Sequence, residues 1–395
     1  MEALKGITVL DLSQLGPGMY CTTLLAEFGA DVINICPNRQ NAGEALRIGN
    51  DVWSFEEQIK MIHASMDRSK KSVQLDLKSP ADKTLFLKMV KKADVIVESF
   101  RPGVVKRLGI DYESMSVINP RIVYCSLSGY GQESSAYQAI PGHDINYIAM
   151  SGALDLIGEK GGSPIVPLFF LADIGGASLH SVIGILIALH ARRKSGKGQY
   201  VDISYVGSVM TFLSPLAYLY MNYGIASKRG DTAYSGTSPS YKVYECSDGK
   251  YLAIGCYEPW FWKNLCTALS KEGYIPHQNA EGEKKEEILS ALSRIFLERP
   301  RDEWFSYLKG KDVCVGKVNS LEEALNDPQI QRLISIEETY HETRGVEKHL
   351  GIPIRMSRTP ARIKSAAPLR GEHTQEVKRK YKGDRGSAKA VVSKK

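Results

Sequence analysis

The seven cysteines contain no Cys-x-x-Cys pair and are odd in number, so a disulfide framework is not expected and a reducing, cytoplasmic compartment is. The opening MEALKGITVLDLS lacks the basic and apolar regions of a secretory signal, and the final SKK is not the peroxisomal SKL. Long apolar runs are missing too. The longest, SVIGILIALHA, is too short to cross a bilayer and predicts a buried helix, so no membrane association is expected. Nor does the body carry an excess of one charge. Lys and Arg number 51 against 44 Asp and Glu, and the stretch from Lys378, KRKYKGDRGSAKAVVSKK, holds eight basic residues and one acidic one, which accounts for the whole surplus. The rest is neutral and gives no footprint for nucleic acid; the basic end reads as solvated and disordered. Finally, no GxGxxG follows the first apolar segment, and its GPG is a turn that by itself marks no dinucleotide site.

What is present is an ordinary globular composition, 43% hydrophobic and 24% charged over 395 residues, long enough for more than one domain. ITVLDLS and DVINIC read as strands joined by the helical GPGMYCTTLLAEFGA, a βαβ unit. The rhythm continues through KSVQLDL, the helical PADKTLFLKMVKKA, DVIVESF and RIVYCSLSGYG. This alternation predicts an α/β fold, with a Rossmann-like parallel sheet in a large domain whose N-terminal part spans 1–225. From residue 226 the texture changes: SPSYKVYECSDGKYLAIGCY alternates and turns at Ser-Asp-Gly, a hairpin signature that is followed by helical stretches. A smaller α+β domain is expected over 226–327, then a C-terminal segment 328–377 returning to the large domain and a basic disordered tail 378–395.

Three polar sites stand in apolar settings. His143 and Asp144 follow a Pro-Gly break; Asp173 sits between an apolar run and Gly175-Gly176; Glu258 lies between a buried-looking strand and an aromatic turn. Each also has a purely structural reading. Asp173 can be a helix N-cap, Glu258 with Pro259 can open a helix, and His143-Asp144 can be a turn or capping device.

The strings LKGITVLDLSQLGPG, KKSVQLDLKSPAD, VIVESFRPGVVKRLGIDY, SLSGYGQ, GHDINYIAMSGAL, LADIGGAS, SGKGQYVDIS and GEHTQEV resemble, in order, the motifs of the family III CoA-transferases (CaiB/BaiF), and in particular their α-methylacyl-CoA racemase-like branch. The resemblance implies a large Rossmann-like domain plus a small one, in an interlocked homodimer whose active site is shared between subunits. It implies that His143 and Asp173 are the two catalytic bases of a racemase, with Glu258 supporting the His. Asp144 is a further catalytic candidate, ranked below His143 and expected to bond the local backbone or its His neighbour. Racemases of the family carry that His and transferases generally lack it. The alternative is a CoA-transferase in which Asp173 attacks the thioester and becomes an aspartyl-CoA thioester.

Inverting the α-carbon of a 2-methylacyl-CoA requires one base on each face, and a His and an Asp serve once their environments tune them. Backbone N–H groups at Gly175 and Gly176 are the expected donors to the enolate. The resemblance further implies CoA or substrate contacts from Arg68, Lys71, Leu75, Asp76, Leu77, Lys78 and Arg101, and from Gly142, Ile145, Asn146 and Tyr147 around His143. Where racemases have a second arginine this chain has Pro37, and Arg39 is the nearest substitute; GTSPSY from Gly236 replaces a usual GAPFY, which points to a different acyl group. No metal and no cofactor beyond the acyl-CoA substrate are expected.

Overall fold

The computed structural model describes residues 2–14, 16–37, 46–48, 51–133, 136–168 and 170–382. Its contacts divide the chain into a larger unit, Met1–Met150 with Phe169–Thr211 and Arg332–Lys395, and a smaller one, Ser151–Leu168 with Phe212–Gln331.

The larger unit is built on six parallel strands: β1 (Thr8–Asp11), β2 (Asp31–Cys36), β3 (Lys71–Gln74), β4 (Val95–Glu98), β5 (Val123–Ser128) and β6 (Tyr200–Ser204). Their order across the sheet is β3-β2-β1-β4-β5-β6. This is the doubly wound Rossmann order, with the chain reversing direction across the sheet between β1 and β4. The inner strands are apolar on both faces, as strands covered on both sides must be: Val9, Leu10, Val95, Ile96, Val97 and Val123 are all 0% exposed. Helices Pro17–Glu27 and Pro80–Val90 each start on a proline, whose fixed φ and missing N–H suit the first helical turn. A two-stranded ribbon, Leu46–Ile48 with Asp51–Trp53, lies outside the sheet.

A continuous helix from Leu171 to Ser195 has the length and composition of a membrane span, which the sequence reading of SVIGILIALHA alone had missed. Here it is a packing element. It lies on β5 and β6 with Ser181, Ile185 and Ala188 fully buried. The C-terminal part of the chain packs on β3, where Gln74 N–H donates to Thr374 Oγ1 at 2.9 Å and Gly371 N–H to Ser72 Oγ at 3.0 Å. It ends in a helix, Thr374–Lys382, with Val377 and Tyr381 buried. Residues 378–382 of the supposed disordered tail are therefore helical, because that apolar pair docks into the core around Phe86 and Met89.

The smaller unit carries a three-stranded antiparallel sheet of β7 (Tyr241–Glu245), β8 (Tyr251–Gly255) and β9 (Val315–Lys317), with β8 central. The β7–β8 hairpin is the one expected from Ser-Asp-Gly. Helices cover it through Trp262, Leu265, Ile288, Phe296 and Trp304. The unit begins at Phe212 rather than 226 and takes in Ser151–Leu168. Arg229 donates to Asp155 O at 2.7 Å and pairs with its carboxylate at 2.6 Å, and Lys160 pairs with Asp231 at 2.9 Å. A pairing of segments that distant in sequence has no local signature. In the larger unit a second hairpin joins β10 (Ile336–His341) to β11 (Gly345–Leu350).

Candidate active site

In an open parallel sheet the crevice outside the strand carboxyl ends, where the winding reverses, is the natural ligand site. Here the ends of β1, β4 and β5 continue into the wall of one cavity of about 1150 Å³, through Leu12, Gln14, Gly16 and Pro17, through Ser99, Phe100, Arg101 and Pro102, and through Ser128, Gly129, Tyr130 and Gly131 respectively. Helix Phe55–Met66 contributes Met61, Ile62, Ser65 and Met66, and the rim is closed by the segments around His143 and Asp173.

Beneath this wall lies a buried charge cluster. Lys70 Nζ donates to Asp67 at 2.8 Å, to Met19 O at 2.9 Å and to Asp11 at 3.2 Å, with Lys70 and Asp11 fully buried. Asp11 also accepts from Ser13 N–H at 2.9 Å and from Thr22 Oγ1 at 2.5 Å, while Asp67 Oδ2 meets His63 Nδ1 at 2.5 Å. Burial would lower the pKa of Lys70, but the charges of Asp67 and Asp11 outweigh it and raise the value. The cluster ties the end of β1 to the two helices beside the cavity.

Asp173 is not a helix N-cap. The helix begins at Leu171 as a π-helical stretch, Leu171–Ser178, with Phe170 at the cap position. The capping carboxylate comes from elsewhere: Asp144 Oδ1 accepts from Ala172 N–H at 2.7 Å and from Asp173 N–H at 2.9 Å. This is a longer reach than the local bond expected of Asp144. It leaves the Asp173 side chain aimed into the cavity, where its buried Oδ1 finds no hydrogen-bond partner among the described residues. Burial, and then the neighbouring Asp144 charge, push the Asp173 carboxyl up to about 7.

His143 is exposed and lines the same cavity, just before helix Asp144–Met150. Its N–H donates to Asn146 Oδ1 at 3.0 Å and its C=O accepts from Asn146 N–H at 2.9 Å. The main chain of His143 therefore serves as the turn device, and its side chain remains available. Tyr147 fixes the segment: its hydroxyl donates to Gly142 O at 2.6 Å, and its ring meets Tyr130 and Tyr205 edge-on at 5.4 and 5.0 Å. Two glycines make room for that ring. A Cβ on Gly129 would lie 2.2 Å from it and one on Gly142 2.8 Å. Burial, and then the Asp173 charge, push Tyr147 up to about 12.

Of the residues singled out in the sequence, Arg101, Gly142, His143, Asn146, Tyr147 and Asp173 share this cavity. Asp144 stands behind it as the cap, and Ile145 is exposed at 42%. Gly175 N–H bonds Phe170 O at 3.2 Å inside the π-helix, so it is no free donor to an enolate. Gly176 serves a close approach instead, since a Cβ there would lie 3.2 Å from Ser208. Arg68 is held by Glu27 at 2.5 Å, and Lys71 stands 3.5 Å from both Asp31 and Glu376. Leu75 is a core residue at 1% exposure, Leu77 packs on the same core, Asp76 accepts from Lys78 N–H at 3.0 Å, and Lys78 is exposed. Glu258 belongs to the smaller unit, where it precedes Pro259 at the start of helix Pro259–Ala268. Arg39 lies outside the described residues. Sequence reasoning missed the wall from helix Phe55–Met66, although Met61, Ile62, Ser65 and Met66 recur at one-face spacing. It also missed Ser128, although the SLSGYGQ string contains it, and Tyr205, which carries no local signal.

A model of the CoA-transferase family III matches residues 4–374. The chain belongs to this family. It is 35% identical to an alpha-methylacyl-CoA racemase of Mus musculus, over 96% of this chain and 93% of that one. It is 30% identical to an acyl-CoA transferase of Fusarium pseudograminearum, over 95% and 84% respectively. A CAIB/BAIF family protein from Brucella suis shares the fold with a TM-score of 0.78 and 26% identity, over 96% of this chain and 99% of that structure. Membership of family III, with its racemase and transferase relatives, makes this chain an enzyme.

Proposed function

We propose that this family III member is an α-methylacyl-CoA racemase that inverts the α-carbon of 2-methyl-branched acyl-CoA thioesters. The observation that carries the reading is the joint presence of His143 and Asp173 in the wall of one cavity. One removes the α-proton, the electron pair moves into the thioester carbonyl to give an enolate, and the other returns a proton to the opposite face. A carboxyl held at about 7 by burial and Asp144 exchanges a proton readily near neutral pH. A nucleophilic carboxylate, as the transferase route needs, must instead be ionised. The greater identity to a racemase than to a transferase points the same way. Arg101 in the cavity wall is suited to a CoA phosphate. We assign Glu258 to the orientation of His143, supplied by a second copy of the chain in a homodimer, as the motif resemblance implies.

The test is incubation of one 2-methylacyl-CoA enantiomer in D₂O with no acceptor acid. Racemisation with deuterium appearing at the α-carbon, lost in His143→Ala, supports the proposal. Stereochemical purity retained while CoA passes to an added carboxylate would replace it with the transferase reading.

A further inference from the structure

We infer that Ser128 is a ligand-recognition residue whose hydroxyl hydrogen-bonds an amide of the pantetheine arm of the CoA thioester, an inference that rests on the acyl-CoA reading above. Ser128 ends β5 and is 6% exposed. It lines the same cavity as Asp173, and its buried Oγ finds no hydrogen-bond partner among the described residues. Ser126, two residues earlier on the same strand, shows the contrast: its hydroxyl donates to Glu98. A buried hydroxyl without a partner costs folding free energy, so the position is explained only if something else satisfies it.

The backbone beside it is held in place. Gly129, the next residue, is pressed against the Tyr147 ring, and its C=O accepts from Val206 N–H at 3.1 Å. The remaining wall is largely apolar, with Leu12, Leu127, Phe170 and Ile174 among its members. A plain 2-methyl-branched alkyl chain has no polar atom beyond its thioester, and the α-carbon must lie where Asp173 and His143 reach it. The amides of the pantetheine arm are then the first polar groups beyond the thioester, and their C=O accepts from a hydroxyl and their N–H donates to one.

The experiment is calorimetric titration of the full-length chain with coenzyme A itself, for wild type, Ser128→Ala and Ser128→Thr, together with thermal denaturation of each without ligand. Loss of one buried hydrogen bond predicts a Kd about three- to tenfold higher for Ser128→Ala. Ser128→Thr keeps the hydroxyl and should bind like wild type. In turnover, KM should rise and kcat hold, because the arm contact is the same in ground and transition states. Removing a hydroxyl that has no partner among the described residues should leave the unliganded melting temperature unchanged or raise it. Equal CoA affinity of wild type and Ser128→Ala overturns the inference. So does a melting temperature lowered by several degrees in Ser128→Ala and restored in Ser128→Thr, which would make the hydroxyl structural. Failure of the wild type to bind CoA would instead overturn the acyl-CoA reading on which this rests.

Discussion

Replacing Asp173 by Asn should stabilise the protein while abolishing its activity, and the gain should grow with pH. The carboxyl stands at about 7 in the folded chain against an ordinary 3.8, first because it is buried and then because Asp144 faces it. The folded state therefore holds this proton more tightly than the unfolded one. Asp173's relative contribution to stability is full below pH 3.8 and is lost as pH rises through 7. The separation of about three units corresponds to about 4 kcal/mol once both states are ionised. Linkage gives a gain for the Asn variant of about 1.7 kcal/mol near pH 5 and about 4 kcal/mol near pH 8.5. Titrating groups that do not couple to Asp173 cancel in the comparison between wild type and variant, so the pH trend reports this carboxyl together with its coupling to Asp144 and Tyr147. The assay is urea denaturation of both proteins at the two pH values, with activity measured alongside. A difference that stays flat with pH, or a variant less stable than wild type at the higher pH, would refute the reasoning.

Asp144→Asn keeps an acceptor for the Ala172 and Asp173 N–H groups but removes the charge, so the limb of the pH–rate profile that reports Asp173 should move to lower pH; an unmoved profile denies the coupling. Asp144→Ala leaves both N–H groups uncapped and should cost about 1–2 kcal/mol in denaturation. Lys70→Met strands Asp11 and Asp67 in the interior and should cost about 3–5 kcal/mol, measured the same way, with Asp11→Asn in the same background recovering part of it. Gly129→Ala drives a methyl into the Tyr147 ring and should cost about 1–3 kcal/mol and weaken CoA binding; wild-type behaviour in both would show that the ring is free to move.

How much of this was written in the chain differs from part to part. Five of the six strands of the large sheet, β1 to β5, were legible as short, largely apolar runs bounded by turn residues, and the hairpin at Ser247–Gly249 because its turn chemistry is local; the edge strand β6, Tyr200–Ser204, was not read from the sequence. The π-helical start at Leu171 was not, since the segment reads locally as an Asp-capped helix. What changes the reading is a carboxylate 29 positions earlier, Asp144, which occupies the N–H groups and frees Asp173. Arg68 and Lys71 read as cations free for a phosphate, and only packing set Glu27, Asp31 and Glu376 against them. The smaller unit's borrowed segment, 151–168, escaped for the same reason.

The sequence by itself determined the α/β class, the family through its ordered motifs, and the residue types at two cavity-lining positions, His143 and Asp173. Periodicity and turn chemistry act between near neighbours, and motifs are strings. Tertiary structure alone decided that the ends of β1, β4 and β5 open into one cavity, that Asp144 caps the helix start at Ala172 and Asp173, and that Asp173 and Ser128 carry buried oxygens without partners among the described residues. Those properties depend on which distant groups lie within a few ångströms and on how much water is excluded. Burial and electrostatic coupling are functions of that three-dimensional neighbourhood, and they fix the protonation on which Asp173 depends.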